Sequence, residues 1–128
     1  DGCWGSGFVG QTEGQVGNAV LSKTSAAAGE NFTGNICWQI YSDFRNISAF
    51  TKGYIHAKIY IADACKLAYD WSQFQLGSNI AGDGKSYQWK LTADMFVDGW
   101  NDIYLPMSTA TVGEGVDLTS INNIYFFV

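Results

Sequence analysis

Apolar and polar residues alternate with a period of two along much of this chain, and no stretch keeps the spacing of an amphipathic helix. The clearest case runs through 53–62, where Ile55, Ala57, Ile59 and Ile61 are separated by Tyr54, His56, Lys58 and Tyr60. Successive side chains of a strand point to opposite faces. One face of this segment therefore belongs in a core, and the other is polar with aromatic bodies. Runs rich in β-branched and aromatic residues, split by glycine, asparagine or aspartate, predict further strands. The full set is 7–10, 18–23, 35–43, 53–62, 72–76, 86–91, 101–105 and 121–128, with loops at 24–34, 80–85 and 107–119. A short helical turn is expected near 92–97, capped by Thr92 and ended by Gly99. Short strands joined by long crossing loops predict one all-β domain over 1–128, a two-sheet antiparallel β-sandwich of jelly-roll type.

The same alternation assigns faces in the later strands. Phe74 and Leu76 point one way while Trp71, Gln73 and Gln75 point the other. Tyr87, Trp89 and Leu91 look inward and leave Gln88 and Lys90 outside, and Ile103 and Leu105 oppose Asp102 and Tyr104. Several strands thus carry glutamines, a few charges and aromatic rings on the side away from the core. A merely solvated face favours Lys, Glu and Thr over tryptophan and repeated glutamine. Sugars present apolar C–H faces ringed by hydroxyls. Flat aromatic rings meet the first, and amides or carboxylates meet the second with paired donors and acceptors.

Composition narrows this picture. In 128 residues, enough for one core, aromatics make up 16% and charged residues only 15%, so the chain is not a disordered one. The net charge of −5 weighs against nucleic acid or an anionic membrane as partner, since both need a basic footprint. No run is long enough to span a membrane as a helix, and no signal-peptide pattern is found. Asp1 at the start reads as a mature terminus or an excised module. Cys3, Cys37 and Cys65 show no zinc-binding spacing and read as small buried hydrophobes, with one disulfide among them left open.

Four motifs add a family resemblance: GYIHAKIYIADACKL at 53–67, SYQWKL at 86–91, DGWNDIYLPMS at 98–108 and VDLTSINNIYFF at 116–127. In order and character they resemble the bacterial jelly-roll carbohydrate-binding modules, galactose-binding-like sandwiches attached to enzymes that degrade plant cell walls. The resemblance covers roughly 43–128; the first forty residues match only loosely, and Cys65 departs from the family's pattern. It implies an extracellular, bacterial setting and a monomeric module within a larger multidomain enzyme. It also implies a structural calcium ion, for which Glu13, Glu30, Asp43 and Asp117 offer hard oxygen ligands without forming a diagnostic loop. Asn31-Phe-Thr33 and Asn46-Ile-Ser48 fit the N-glycosylation triplet, a pattern short enough to arise by chance and of no weight in a bacterial protein.

Among the aromatics, Trp71 is the leading candidate for a sugar platform, because it shares a strand face with Gln73 and Gln75. Tyr60 is next, expected on the same face one strand earlier, with Tyr104 as a third ring. His56, Lys58, Gln88 and Asp102 would supply hydrogen bonds. Trp89 and Trp100 read as packing residues, and Trp38 as core because it shares a phase with Ile40. Lys58 and Lys90, if they line one groove, would instead favour an acidic polymer such as pectin. Glycoside hydrolysis needs paired carboxylates flanking one bond, and the acidic residues here fall mostly in loops. The expectation is a non-catalytic module that binds a β-1,4-linked glucan or related hemicellulose. The alternative is a structural or adhesive sandwich with no glycan site.

Overall fold

The computed structural model describes residues 2–4, 8–15, 17–22, 35–39, 44–68, 70, 72–79 and 83–127. Among the described residues ten strands are present: β1 (Gly2–Trp4), β2 (Phe8–Glu13), β3 (Asn18–Ser22), β4 (Asn35–Gln39), β5 (Tyr54–Ile61), β6 (Ser72–Gly77), β7 (Ser86–Leu91), β8 (Gly99–Pro106), β9 (Thr111–Val112) and β10 (Asn123–Phe127). Each strand predicted from alternation is found. The two unpredicted ones, β1 and β9, have three and two residues, too few to display a period. They extend the opposite edges of a six-stranded antiparallel sheet ordered β1-β4-β10-β6-β7-β9. β5 pairs with β8 along eight residues, and β2 with β3 in a hairpin.

The inward residues of the two main layers meet in one core. Phe74, Leu76, Trp89 and Leu91 from β6 and β7 pack with Ile61, Ile103 and Leu105 from β5 and β8, together with Phe96, Met107 and Ile121. Ile55, Ala57, Ile59, Ile124 and Phe126 close its margin. Each large side chain buried this way stabilises the fold by about 1.5–3 kcal/mol. This is an all-β sandwich, as the alternation predicts.

The short turn after β7 also forms, as a 3-10 turn at Ala93–Met95 preceded by Thr92 in extended conformation, but it ends at Phe96 and not at Gly99. Gly99 follows at φ 94°, a left-handed value that costs glycine little. Asn101 then secures the corner. Its Oδ1 accepts from Val97 N at 2.8 Å, and its Nδ2 donates to the carbonyls of Val97, Gly99 and Ile59 at 2.9, 3.0 and 3.3 Å. The Gly-Trp-Asn motif is therefore a structural joint that sets where β8 begins against β5.

Candidate functional site

With Ile55, Ala57, Ile59, Ile103 and Leu105 turned inward, the opposite face of β5 and β8 carries Tyr54, His56, Lys58 and Tyr60 beside Trp100, Asp102 and Tyr104. The register sets His56 against Tyr104, Lys58 against Asp102 and Tyr60 against Trp100. Directly opposed side chains of an antiparallel pair lie within contact distance. At one end His56 stacks on Tyr104 with centroids 4.4 Å apart and planes within 3°, and Tyr54 tilts against Tyr104 at 5.5 Å. At the other end Tyr60 meets Trp100 edge-on at 5.5 Å. From Tyr54 to Tyr60 is six strand steps, a length of about 20 Å. The rings remain open to solvent: Tyr60 is 58% exposed and Trp100 36%.

Between the aromatic ends sits a small charged cluster. Asp102 Oδ1 accepts from Lys58 Nζ and from His56 Nε2, each at 2.8 Å. Against a carboxylate, the bonded imidazole nitrogen is the one carrying hydrogen. Lys58 Nζ also donates to Gln15 Oε1 at 2.8 Å, which links the β2–β3 turn to this face. The hydrogen bonds from Lys58 and then His56 hold the Asp102 carboxyl below its ordinary 3.8. A depressed carboxylate pKa contributes stability present above the unfolded value and lost as pH falls through the folded one. In a carbon-detected NMR titration, Asp102 is accordingly expected to have its midpoint below 3.8 and to move up towards that value in Lys58→Met. An unchanged midpoint in the variant would show that the ion pair does not form in solution.

This geometry corrects the expectation of one shared site. Tyr60, His56, Lys58, Asp102 and Tyr104 lie on the β5–β8 layer, whereas Gln73, Gln75 and Gln88 lie on the outer side of the six-stranded sheet. β6 pairs with β7 and β10, not with β5, so Tyr60 and the glutamines face away from each other across the core. The two lysines separate in the same way and line no common groove: Lys58 pairs with Asp102, and Lys90 with Asp70 at 3.0 Å. Trp71, the leading candidate for a sugar platform, lies outside the described residues.

The glutamine face is the less open of the two. Gln75 is only 6% exposed; its Nε2 donates to Gln73 Oε1 at 2.6 Å, and its buried Oε1 has no hydrogen-bond partner among the described residues. Tyr125 stands against Gln75 in the register, and partial burial pushes its phenol above 10.0. Gln88 reaches solvent by another route. It lines a cleft of about 390 Å³ with Lys90, Met95, Tyr104, Pro106, Thr109 and Thr111, so Tyr104 borders both this cleft and the aromatic face.

Three single-residue expectations also change, those for Trp100, Trp38 and Cys65. Trp100 lies on the exposed outer face against Tyr60, where a core-packing residue was expected. It is in phase with Asp102 and Tyr104, and a strand predicted to start at 101 concealed that. Tyr54 is in phase with His56 and belongs to the same surface. Trp38 is 47% exposed and is not part of the core cluster, although the register sets it against Ile124 at the core margin. Trp89, by contrast, is buried as expected. Cys37 is buried, but Cys65 is an exposed free thiol on the 3-10 turn at Ala64–Lys66.

Of the four residues offered for calcium, the structure describes two. Glu30 and Asp43 lie outside the described residues, and Glu13 is exposed on the β2–β3 hairpin. Asp117 Oδ1 is engaged by Thr119 N and Oγ1 at 2.9 and 2.7 Å. No group of three or more His, Cys, Asp or Glu gathers among the described residues.

Fold and surface together define an all-β sandwich with an exposed aromatic and polar face on its β5–β8 layer. In comparisons with known proteins, the chain matches no family model, no curated protein and no solved structure.

Proposed function

We propose that this domain is a non-catalytic carbohydrate-binding module that holds an attached enzyme on plant cell-wall polysaccharide, a β-1,4-linked glucan or related hemicellulose. The observation that carries the reading is the β5–β8 face: Tyr54, Tyr104, Tyr60 and Trp100 exposed at the two ends of a strip whose middle is a hydrogen-bonding cluster. Aromatic rings cover the apolar faces of pyranose units. Asp102 and His56 meet hydroxyls between them. A strip about 20 Å long suits an extended chain better than a single sugar. Each polar contact exchanges water for a sugar hydroxyl and nets about 0.5–1.5 kcal/mol, so binding is of micromolar order and improves with oligosaccharide length. The motifs at 53–67 and 98–108, which make this face, are also those that resemble the bacterial secreted modules, and a jelly roll is the connectivity we propose for the sandwich.

Affinity electrophoresis and calorimetry against soluble cellulose derivatives, mixed-linkage glucan, xyloglucan and glucomannan test the reading. Wild type is expected to be retarded by at least one β-1,4-linked polymer. Tyr60→Ala/Trp100→Ala should lose about tenfold in affinity, or about 1.4 kcal/mol. Equal retention of both proteins would remove this face from consideration. No heat with any polymer would favour a structural or adhesive sandwich instead.

A further inference from the structure

We infer that Asp102 is a specificity-determining residue, which neutralises Lys58 and restricts the aromatic face to uncharged glycans. The inference rests on the glycan-binding reading and names the ligand class for the same face. Among the described residues of β5 and β8, the outward charges are Lys58, Asp102 and, when protonated, His56. Lys58 and Asp102 are direct cross-strand partners, so the pleat itself holds their side chains together. Lys58 Nζ is engaged twice, by Asp102 Oδ1 and by Gln15 Oε1, each at 2.8 Å. A lysine satisfied in this way is not presented to an incoming carboxylate.

Asp102 itself faces the ligand differently. Both of its protein donors, Lys58 and His56, converge on Oδ1. Oδ2 accepts nothing from the described residues, and the side chain is half exposed. A bare carboxylate oxygen in the middle of the strip accepts a hydroxyl proton, and every neutral pyranose supplies one. A uronate brings its own negative charge to the same place and is repelled. The chain's net charge of −5 acts in the same direction at longer range.

The sequence alone left a pectin-type ligand open through Lys58 and Lys90. Here both lysines are paired with aspartates and stand on different sheets. Removing the charge of Asp102 exposes Lys58 and should shift the preference towards acidic polymers. The test compares wild type, Asp102→Asn and Lys58→Met by affinity electrophoresis in mixed-linkage glucan, glucomannan and polygalacturonate at low salt. Circular dichroism checks that each variant is folded.

Wild type is expected to be retarded by a neutral polymer and to run freely through polygalacturonate. In Asp102→Asn, the ratio of polygalacturonate to neutral-glucan affinity should rise about twofold to fivefold, the size of an exposed ion pair. That gain should vanish near 1 M salt, where the screening length is about 3 Å. Lys58→Met should show no such gain. Wild type retained equally by neutral and acidic polymers would overturn the charge filter and leave the glycan reading standing. Retention on neutral polymers with no gain in Asp102→Asn would overturn the assignment to Asp102. Retention on nothing would bring down the glycan reading itself.

Discussion

Trp89→Ala should lose about 4 kcal/mol of folding stability, the usual range for deleting a buried large aromatic. Trp89 is 4% exposed and sits at the centre of the core, against Phe74 at 6.2 Å and Tyr87 at 6.4 Å between ring centroids. Its Nε1 also donates to Pro106 O at 2.9 Å, a bond that ties β7 of one sheet to β8 of the other. The substitution therefore opens a cavity and strips a carbonyl of its donor in one step. In a domain of this size the midpoint of thermal unfolding should fall by roughly 15 °C. Trp89→Phe keeps most of the apolar area and loses mainly the hydrogen bond, so it should cost about 1–2 kcal/mol. Urea unfolding of the three proteins decides the matter, and a Trp89→Ala midpoint close to wild type would show that the two layers do not share this core. Trp100 makes the contrast: an exposed ring on the outer face, whose loss should act on ligand and hardly on stability.

Gly113→Ala should be the most damaging single-methyl addition in the described chain. A Cβ at 113 would overlap the carbonyl oxygen of Gly84 and lie 2.8 Å from the Gly84 carbonyl carbon and 3.1 Å from Ser86 N. All three are backbone atoms, so no side-chain rotation relieves the overlap. Gly113 N donates to Ser86 O at 2.8 Å, just past the short pairing of β9 with β7. Accommodating the methyl therefore means pulling β9 away from the sheet edge or displacing the turn at 83–86. A loss of about 3 kcal/mol is expected, towards the upper end for overpacking. Hydrogen exchange should show the Gly113 amide losing protection first. Gly17→Ala is the control: its φ of 66° is unfavourable to alanine, but no atom lies within 4 Å of the new methyl. Only the backbone term of about 1–2 kcal/mol applies there. Equal effects at 113 and 17 would mean that the approach to Gly84 is not tight in solution.

These outcomes bear on which residues could be read in advance. Trp89 was legible as core because Tyr87 and Leu91 flank it at period two. Trp100 was equally legible in principle, being in phase with Asp102 and Tyr104, but a strand started one residue late hid it. Gly113 carries no local signal. Its need for a bare backbone comes from Gly84, twenty-nine residues away in the chain, and becomes visible only when β9 closes on β7.

Alternation by itself determined the class of this protein and the inward or outward side of nearly every long strand. That information is local. A strand turns successive residues to opposite faces, and water separates apolar from polar faces whatever the neighbours are. The pairing of strands is not local, and only the tertiary structure decided it. β5 chose β8, setting Tyr60 beside Trp100 and Lys58 beside Asp102, while β6 took β7 and β10 and carried Gln73 and Gln75 to the far side of the core. The outward pattern of β5 fits either neighbour equally well. The choice is made by the packing of Ile61, Ile103 and Leu105 over Phe74, Leu76, Trp89 and Leu91, a single core that forms only when all four strands meet.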